Sequence, residues 1–454
     1  MNLQMEKEQG EVLTVKVKQK VQDFMSGYRM DCKSIDLDAV CAAFIDEMTA
    51  GLTDQGSSLA MIPTYIRMDS VVPRNEKVIV IDAGGSNLRV ALVWFDDQEK
   101  PVIEGLSFYK MPGSDQPVSR DVFYQTIAEY LKPLLPYSRK IGFCFSYPTE
   151  MQASRDGRVL ALTKEVVVHG LEGDMIGENL LKTIREMGFP EERSVVILND
   201  TVACLLSGAF ANADRVFDSY IGLIVGTGTN TCYVEKTAAI PKLHIETSDE
   251  TMLINIESGG YGGAPRGQID VEVDQRTTNP GDQKFEKMIS GHYQGMMFEA
   301  LMVHGLEDGL FSRRIPAGEV KISKIGAKDL DEFLFYPYDE NRVLLRFLAD
   351  NGIQATKQDR LVLYYLIDEL IERTAIFVTA NISAVMSKTG SGTNPCRPVC
   401  VTADGSTFYK SKMFRDKLAH YVKTYMNEKK GQYCDFVKAE NGNLVGTAAA
   451  GLQA

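Results

Sequence analysis

Metal-ligand and disulfide patterns are the first features that the sequence lacks. Its 454 residues include eight cysteines and five histidines, but no Cys-x-x-Cys pair occurs and the histidines have no metal-ligand spacing. Several cysteines lie inside apolar runs, which favours buried, reduced thiols in a cytosolic protein over zinc ligands or disulfides. We therefore interpret the histidines as structural or solvated residues.

Long apolar runs and an excess of positive charge are also missing. No apolar run approaches the length that spans a bilayer, and the polar, acidic residues 1–9 are not typical of a secretory signal. The net charge of −12 disfavours a general nucleic-acid or membrane-surface role, because phosphate backbones and anionic lipids attract positive charge. We expect a cytoplasmic protein that binds small molecules, with any anionic substrate held by local groups.

The length of the chain suits two domains of roughly 200 residues each. Apolar residues recur at helical spacing through the first fifty residues, and again over 283–302 and 358–386. Short runs rich in β-branched residues predict strands over 78–93, 140–145, 194–198, 221–234 and 398–407. Together these patterns predict an α/β fold.

Two glycine-rich turns are the most informative local feature. In segments 78–93 and 221–234 an apolar run enters a turn of small residues and a second apolar run leaves it, which predicts a β-hairpin. Neither turn is a Walker loop or a Rossmann fingerprint. Glycine lacks a Cβ, so backbone N–H groups can point at phosphate oxygens, and nearby hydroxyls add donors. The residues predicted to do this are Gly84, Gly85, Ser86, Gly226, Thr227, Gly228 and Thr229.

Ordinary glycine turns are the alternative interpretation of these segments. The recurrence of the turn about 140 residues later, with an acid or amide beside it, favours a nucleotide held from two sides and indicates two similar halves with a boundary near residue 210. Asp82 ends the first strand, where it could hold a metal-bound water. Asn87 and Arg89 also belong to the predicted nucleotide-binding residues. Arg89 could brace the turn or pair with charge.

The chain resembles the hexokinases of the actin-like ATPase fold over nearly its whole length. Eight motifs occur in the family's order, which is too specific to arise by chance. They are the stretch before the hinge, the two phosphate loops and five sugar-site segments, at 56–66, 82–89, 143–148, 163–164, 199–201, 226–230, 255–257 and 285–291. The resemblance implies two actin-like (RNase H-like) domains with an active-site cleft between them.

The resemblance also implies domain boundaries. A helical segment over residues 1–70 would pack on the large domain, and a C-terminal helix over 441–454 would return to the small domain. The small domain would span 71–210 and the large domain 211–440. The protein would act as a monomer or homodimer.

Roles for individual residues follow from the same resemblance. Asp200 would be the general base, with Lys164 beside it in catalysis, and Gly405 and Ser406 would flank the adenosine. Mg²⁺ would have no direct protein ligand and would be held through ATP phosphates and water, near Asp82. The residues implied to bind the sugar are Ser146, Thr163, Lys164, Asn199, Asp200, Asn230, Glu257 and Glu286.

Structural interpretations compete with some of these roles. Asn199-Asp-Thr201 precedes an apolar helix, so Asp200 also fits a helix N-terminus, and both roles can hold together. Glu257 and Glu286 would ordinarily be solvated surface acids, and Lys164 a surface lysine. Glu257, however, ends an apolar run beside glycines, and a carboxylate accepts hydrogen bonds from sugar hydroxyls without titrating.

The chain departs from the family pattern at four positions. Ala83 replaces a larger aliphatic residue, and Leu162 stands where tryptophan is common; both indicate repacking. His292 stands where some members have lysine. Ser258 adjoins Glu257 and stands where animal and fungal members have tryptophan, so it bears on the sugar preference.

The predicted activity is ATP-dependent phosphorylation of a hexose, glucose foremost, at the 6-hydroxyl, the first step of glycolysis. The alternatives are a relative that prefers mannose, fructose or an amino sugar, and a non-catalytic sugar sensor. A sensor would have lost the base or a phosphate loop, and neither is missing from the sequence. An actin-like or chaperone-like ATPase would lack the sugar segments.

Overall fold

The computed structural model describes residues 2–53, 55–68, 71–162, 166–212, 215–244 and 250–453, with side chains from residue 11 onward. Its helices are α1 Asn2–Gly27, α2 Leu37–Leu52, α3 Arg120–Leu131, α4 Ile176–Glu186, α5 Asp200–Ala211, α6 Gln268–Gln275, α7 Lys284–Ile289, α8 Gly291–Glu307, α9 Ala327–Phe335, α10 Val343–Asp350, α11 Lys357–Thr389, α12 Ser406–Lys410, α13 Phe414–Tyr421 and α14 Gly442–Leu452. A π-helical segment, Val422–Lys430, continues α13. The strands are β1 Ile62–Pro63, β2 Val78–Gly84, β3 Asn87–Phe95, β4 Pro101–Lys110, β5 Val118–Ser119, β6 Lys140–Phe145, β7 Thr149–Met151, β8 Gly157–Val159, β9 Val168–His169, β10 Ser194–Leu198, β11 Tyr220–Val225, β12 Thr229–Lys236, β13 Thr251–Asn255, β14 Val399–Asp404 and β15 Cys434–Val437.

The first half of the chain forms a five-stranded mixed sheet in the order β10-β6-β2-β3-β4. Strands β10, β6 and β2 are parallel, and β2, β3 and β4 are antiparallel neighbours. Ile79 and Ile81 of β2 face a core shared with α3 and α4, whereas Val78 and Val80 face a core shared with α14. Both faces are covered, and this explains why β2 is apolar along its length instead of alternating.

The second half forms a six-stranded sheet in the order β1-β13-β12-β11-β14-β15. In this sheet β1, β13, β12 and β11 are antiparallel neighbours. Strands β11, β14 and β15 are parallel neighbours. Ile221 and Leu223 of β11 lie in one core with Phe377 of the 33-residue helix α11. On the opposite face α5 comes close to β11, since a Cβ at Gly222 would lie 2.4 Å from the backbone oxygen of Thr201.

Helices α5 and α14 lie between the two sheets. α5 packs on β11 and β14, α14 packs on β2 and β6, and the two helices pack on each other. Small residues make this possible: a Cβ at Gly446 would lie 1.9 Å from the Ala203 oxygen, and one at Gly142 would lie 2.3 Å from the Thr447 oxygen. The small-residue helix α14 therefore joins the two halves through close backbone contacts.

The observed elements confirm most of the predicted secondary structure. Both glycine turns close antiparallel hairpins, β2–β3 and β11–β12. The runs at 140–145 and 194–198 are β6 and β10, and 358–386 lies within α11. The predicted helical region 283–302 is two helices, because Ser290 has an extended backbone with φ −78° and ψ 152° and separates α7 from α8.

Candidate active site

The ends of parallel strands in both sheets supply the candidate site residues. Asp82 lies near the end of β2, Ser146 directly follows β6, and Asp200 is the second residue after β10. In the second sheet, Gly226 follows β11 and Gly405 follows β14. Open α/β sheets bind ligands outside the carboxyl ends of their strands, so this placement identifies the cleft edge.

The first hairpin has a two-residue turn. Gly84 pairs with Asn87 across β2 and β3, which leaves Gly85 and Ser86 as the turn. Gly85 has φ +56°, a left-handed conformation that glycine adopts without steric cost. The Tyr147 hydroxyl donates to the Gly85 oxygen at 2.7 Å and so attaches the turn to the segment that follows β6. Residues 84–87 are exposed.

Asp82 and Arg89 form an ion pair at the base of this hairpin. Arg89 Nε donates to Asp82 Oδ2 at 2.9 Å, and the guanidinium NH2 group contacts the same oxygen. The two residues are directly paired across β2 and β3, so the ion pair braces the strands that carry the turn.

The second hairpin is tied to several neighbouring elements. Gly291 N donates to the Gly226 oxygen at 2.8 Å, and the Thr407 hydroxyl donates to the same oxygen at 3.0 Å. Gly405 has φ +114°, and a Cβ there would lie 2.3 Å from the Val225 oxygen. Only glycine fits at Gly405, so the start of α12 lies directly against the second turn.

A cavity of about 350 Å³ lies between the two sheets. Its polar wall includes Ser146 and Asn199 from the first sheet and Glu257 from the second, as well as Asn255 and Gln283. Its apolar wall is formed by side chains that include Ile62, Phe145, Met151, Leu160, Ile197 and Val202. A mostly apolar pocket with a few convergent polar groups is the usual form of a small-molecule site.

Glu257 is oriented by two asparagine side chains. Asn255 Nδ2 donates to Glu257 Oε1 at 2.6 Å, and Asn230 Nδ2 donates to the same oxygen at 3.2 Å. Asn230 also donates to Asn255 Oδ1 at 2.8 Å. Burial raises the pKa of Glu257, while the two asparagine hydrogen bonds oppose that rise. The two asparagines fix the orientation of the Glu257 carboxylate, a group of the kind that accepts hydrogen bonds from vicinal hydroxyls.

Asp200 is the first residue of α5 and is partly exposed. Asn199 caps the helix, since its Oδ1 accepts from Thr201 N at 2.8 Å, and Asp200 Oδ1 accepts from the Thr201 hydroxyl at 3.3 Å. Burial, and then the negative charges of Glu257 and Asp82, raise the pKa of Asp200 to about 6. Both halves of the cleft therefore act on this carboxylate, as is common for a catalytic base.

Glu286 lies against the second hairpin. Its Oε2 accepts from Thr229 N at 3.0 Å, and a Cβ at Gly228 would lie 2.5 Å from the same oxygen. Burial is the largest cause of the raised pKa of Glu286, and the negative charge of Glu257 adds to it. Glu286 thus connects the predicted sugar acids with the predicted nucleotide turn.

Of the predicted sugar residues in the described part of the chain, Ser146, Asn199 and Glu257 line the cavity. Asp200, Asn230 and Glu286 do not line it, although Asn230 donates to Glu257. The predictions for Thr163 and Lys164 lie outside the described residues.

Asn255 and Gln283 line the cavity but were not predicted as site residues. Asn255 had a sequence signal, because it lies in the same motif as Glu257. Gln283 had none, because its position depends on a left-handed backbone with φ +48° that the sequence does not indicate.

Comparison with known protein families identifies the family of this chain. One hexokinase family model matches residues 20–210, and a second hexokinase family model matches residues 220–453. The chain belongs to the hexokinase family. Hexokinase-1 of Schizosaccharomyces pombe is similar to it, with 28% identity over 431 residues that cover 91% of this chain and 86% of that protein. Hexokinase-1 of Saccharomyces cerevisiae is 27% identical over 437 residues, covering 89% and 86%.

Solved structures show that the fold is the two-domain, mixed α/β fold of hexokinases. A hexokinase from Schistosoma mansoni, complexed with glucose, superimposes on this hexokinase-family chain with a TM-score of 0.75 and 23% identity, covering 97% of this chain and all of that one. A second hexokinase structure gives a TM-score of 0.70 at 21% identity. In the described part of the chain, no helix is both long and apolar enough to cross a membrane.

Proposed function

We propose that this hexokinase-family enzyme transfers the γ-phosphoryl group of Mg·ATP to the 6-hydroxyl of a hexose, with glucose as the preferred sugar. The observation that carries the proposal is the position of Asp200. Its carboxylate lies at the start of α5. Burial and the negative charges of Glu257 and Asp82 raise the pKa of this carboxylate to about 6. A base with this pKa is largely ionised at neutral pH and can accept the hydroxyl proton.

The sugar would occupy the cavity between the sheets. Ser146 and Asn199 would bind it from the first sheet, and Asn230, Glu257 and Glu286 from the second. The hydrogen bond from Asn230 to Glu257 supports this role, because it fixes the orientation of the Glu257 carboxylate, which lines the cavity. Thr163 and Lys164 are proposed for the same site from the family resemblance.

ATP would be held between the two hairpins. Gly226 N bonds the Gly228 oxygen at 2.8 Å and Thr229 N bonds Glu286, so these two groups are not available to the phosphates. Backbone N–H groups at Gly84–Asn87, Thr227 and Gly228 would contact the phosphates, and Gly405 with Ser406 would flank the adenosine. Their support is the close contact of Gly405 with the second turn. Mg²⁺ would be bound by the ATP phosphates, with Asp82 near its coordinated water. When bound, Mg²⁺ would neutralise charge on the phosphates.

The chemistry requires one proton acceptor and one aligned hydroxyl. The sugar O6 forms a bond to the γ-phosphorus while the bond from that phosphorus to the bridging oxygen breaks, so ADP leaves. Asp200 takes the proton from O6. The cleft residues of this chain supply alignment and electrostatic stabilisation, which account for most of the catalysis in phosphoryl transfer.

We further propose a small domain over 71–210, a large domain over 211–440 with 1–70 packed on it, and a return of 441–454 to the small domain. The packing of α14 on β2 and β6 supports the last boundary. A cytoplasmic location is supported by the free thiols, six of which are buried.

An ADP-release assay with Mg·ATP and separate hexoses tests the proposal. Glucose, mannose, fructose and glucosamine would be compared, and phosphorus NMR would identify the position of the new phosphate. We expect turnover with glucose, a 6-phosphate product and almost no turnover in Asp200→Asn. Sugar binding without turnover in the wild type would instead support a sensor, and turnover with another hexose alone would change the substrate.

A further inference from the structure

Three polar side chains form a buried cluster behind the cavity wall. Ser258 Oγ donates to Thr231 Oγ1 at 3.2 Å, and Asn381 Nδ2 donates to the same oxygen at 2.6 Å. The three residues are 1% exposed or less, and they come from the loop after β13, from β12 and from α11. None of them lines the cavity, so Ser258 does not contact the sugar from this position.

The cluster is directly connected to residues of the proposed sugar site. Ser258 follows Glu257, and Ser258 N donates to Asn230 Oδ1 at 3.2 Å. Thr231 follows Asn230, and its N donates to the same Oδ1 at 2.7 Å. These two bonds occupy the amide oxygen of Asn230 and direct its Nδ2 group toward Glu257.

The backbone of Glu257 is in a strained conformation. It has φ 55° and ψ 50°, in the left-handed region that non-glycine residues rarely occupy. Such a conformation is unfavourable for a residue with a Cβ and persists only where the surroundings impose it. Ile256 N donates to the Thr231 oxygen at 2.9 Å, so the loop is attached to β12 on the side before Glu257. The Ser258 hydroxyl attaches it on the side after Glu257.

Burial of this cluster is not explained by stability alone. The Asn381 Oδ1 atom is buried and has no hydrogen-bond partner within the described residues. A buried polar group without a partner is destabilising, whereas an apolar cluster of the same shape would carry no such cost. Hydrogen bonds fix the orientation of the side chains that form them, whereas apolar contacts do not.

We propose that Ser258, Thr231 and Asn381 are positioning residues, which hold Glu257 and Asn230 in the arrangement that binds the sugar. This inference rests on the proposed function, because it assigns the cluster to the same sugar site. The hydroxyl of Thr231 is the centre of the cluster, since both other side chains donate to it.

The test compares Thr231→Val and Ser258→Ala with two controls. Thr231→Ser keeps the hydroxyl and should restore wild-type behaviour. Thr379→Val makes the same change on α11 at a buried threonine whose hydroxyl bonds only the Ala375 oxygen, at 2.7 Å, among the described residues. We expect sugar KM to rise about tenfold in Thr231→Val and Ser258→Ala, the loss of roughly one hydrogen bond. ATP KM should stay unchanged.

Hydrogen exchange supplies a readout that does not depend on activity. Amides in 256–261 should exchange faster in Thr231→Val and Ser258→Ala, but not in Thr379→Val or Thr231→Ser. An active wild type whose two cluster variants keep normal sugar KM and normal exchange would overturn the positioning role. A wild type that phosphorylates no hexose would overturn the proposed function instead, and the exchange of 256–261 would still decide whether the cluster holds the loop.

Discussion

At the scale of single residues, Asp200 should control both turnover and its pH dependence. Asp200→Asn keeps the size of the side chain and removes the proposed base, so kcat should fall roughly 10²–10⁴-fold, with sugar affinity reduced less. The wild-type pKa of Asp200 is raised to about 6, and the ionised form would be the active base. The wild-type kcat/KM should therefore fall as pH decreases through about 6 and level off above it.

A steady-state pH profile and a sugar-binding titration check this prediction. Asp46→Asn, at an exposed aspartate of α2, is a control that should keep the wild-type profile. Wild-type turnover in Asp200→Asn would show that another group accepts the proton.

The two glutamates proposed to bind the sugar, Glu257 and Glu286, should differ in their effects on ATP binding. Glu257→Gln should raise sugar KM strongly, at a cost of roughly 1–3 kcal/mol, and leave ATP KM nearly unchanged. Glu286→Gln should raise sugar KM as well, but it also weakens the acceptor of Thr229 N in the second hairpin. We therefore expect ATP KM to rise in Glu286→Gln alone. Equal ATP effects in the two variants, measured under saturating sugar, would contradict this division.

At the scale of elements, the contact between α14 and α5 should be sensitive to one methyl group. Gly446→Ala would place a Cβ 1.9 Å from the Ala203 oxygen, so the two helices must separate. Overpacking of this kind costs about 1–3 kcal/mol, although alanine in an open helix is favoured over glycine. Urea denaturation would measure the loss of stability.

Gly27→Ala is the matched control for this prediction. Gly27 is also helical, but among the described residues no atom outside its own stretch of helix lies within 4 Å of the position of its Cβ. Gly27→Ala should leave the free energy of unfolding unchanged or raise it slightly. If Gly446→Ala behaves in the same way, α14 does not join the halves through this close contact.

At the scale of the whole molecule, sugar binding should close the cleft. The cavity is lined by Ser146 and Asn199 from the first sheet and by Asn255 and Glu257 from the second, so a bound hexose would bridge the halves. Water resembles the sugar hydroxyl chemically, and an enzyme with its base and phosphate turns already aligned would hydrolyse ATP. Solution scattering should show a smaller radius of gyration with glucose, and ATPase activity without sugar should be far below the kinase rate. An unchanged radius together with rapid sugar-free hydrolysis would exclude this mechanism.

Much of the fold follows from local sequence patterns. The apolar runs around Gly85 and Gly226 specify hairpins, because glycine permits the turns and β-branched residues favour the strands on either side. Periodicity could not show that Ser290 divides the region 283–302, since the extended backbone there depends on neighbouring contacts. The Gly291 N–H, for example, bonds the Gly226 oxygen of a distant hairpin.

The α/β class and the two hairpins follow from the sequence alone, because they depend on residue type and near-neighbour spacing, and the candidate base Asp200 follows from the family resemblance of its motif. Only the tertiary structure decided how the candidates are arranged. It placed Gln283 in the cavity wall, turned the Ser258 hydroxyl toward Thr231 and Asn381, and joined Glu286 to the second hairpin. Each of these contacts brings together segments far apart in the chain, and the pKa of Asp200 is raised by burial and charges that exist only after the two halves fold against each other.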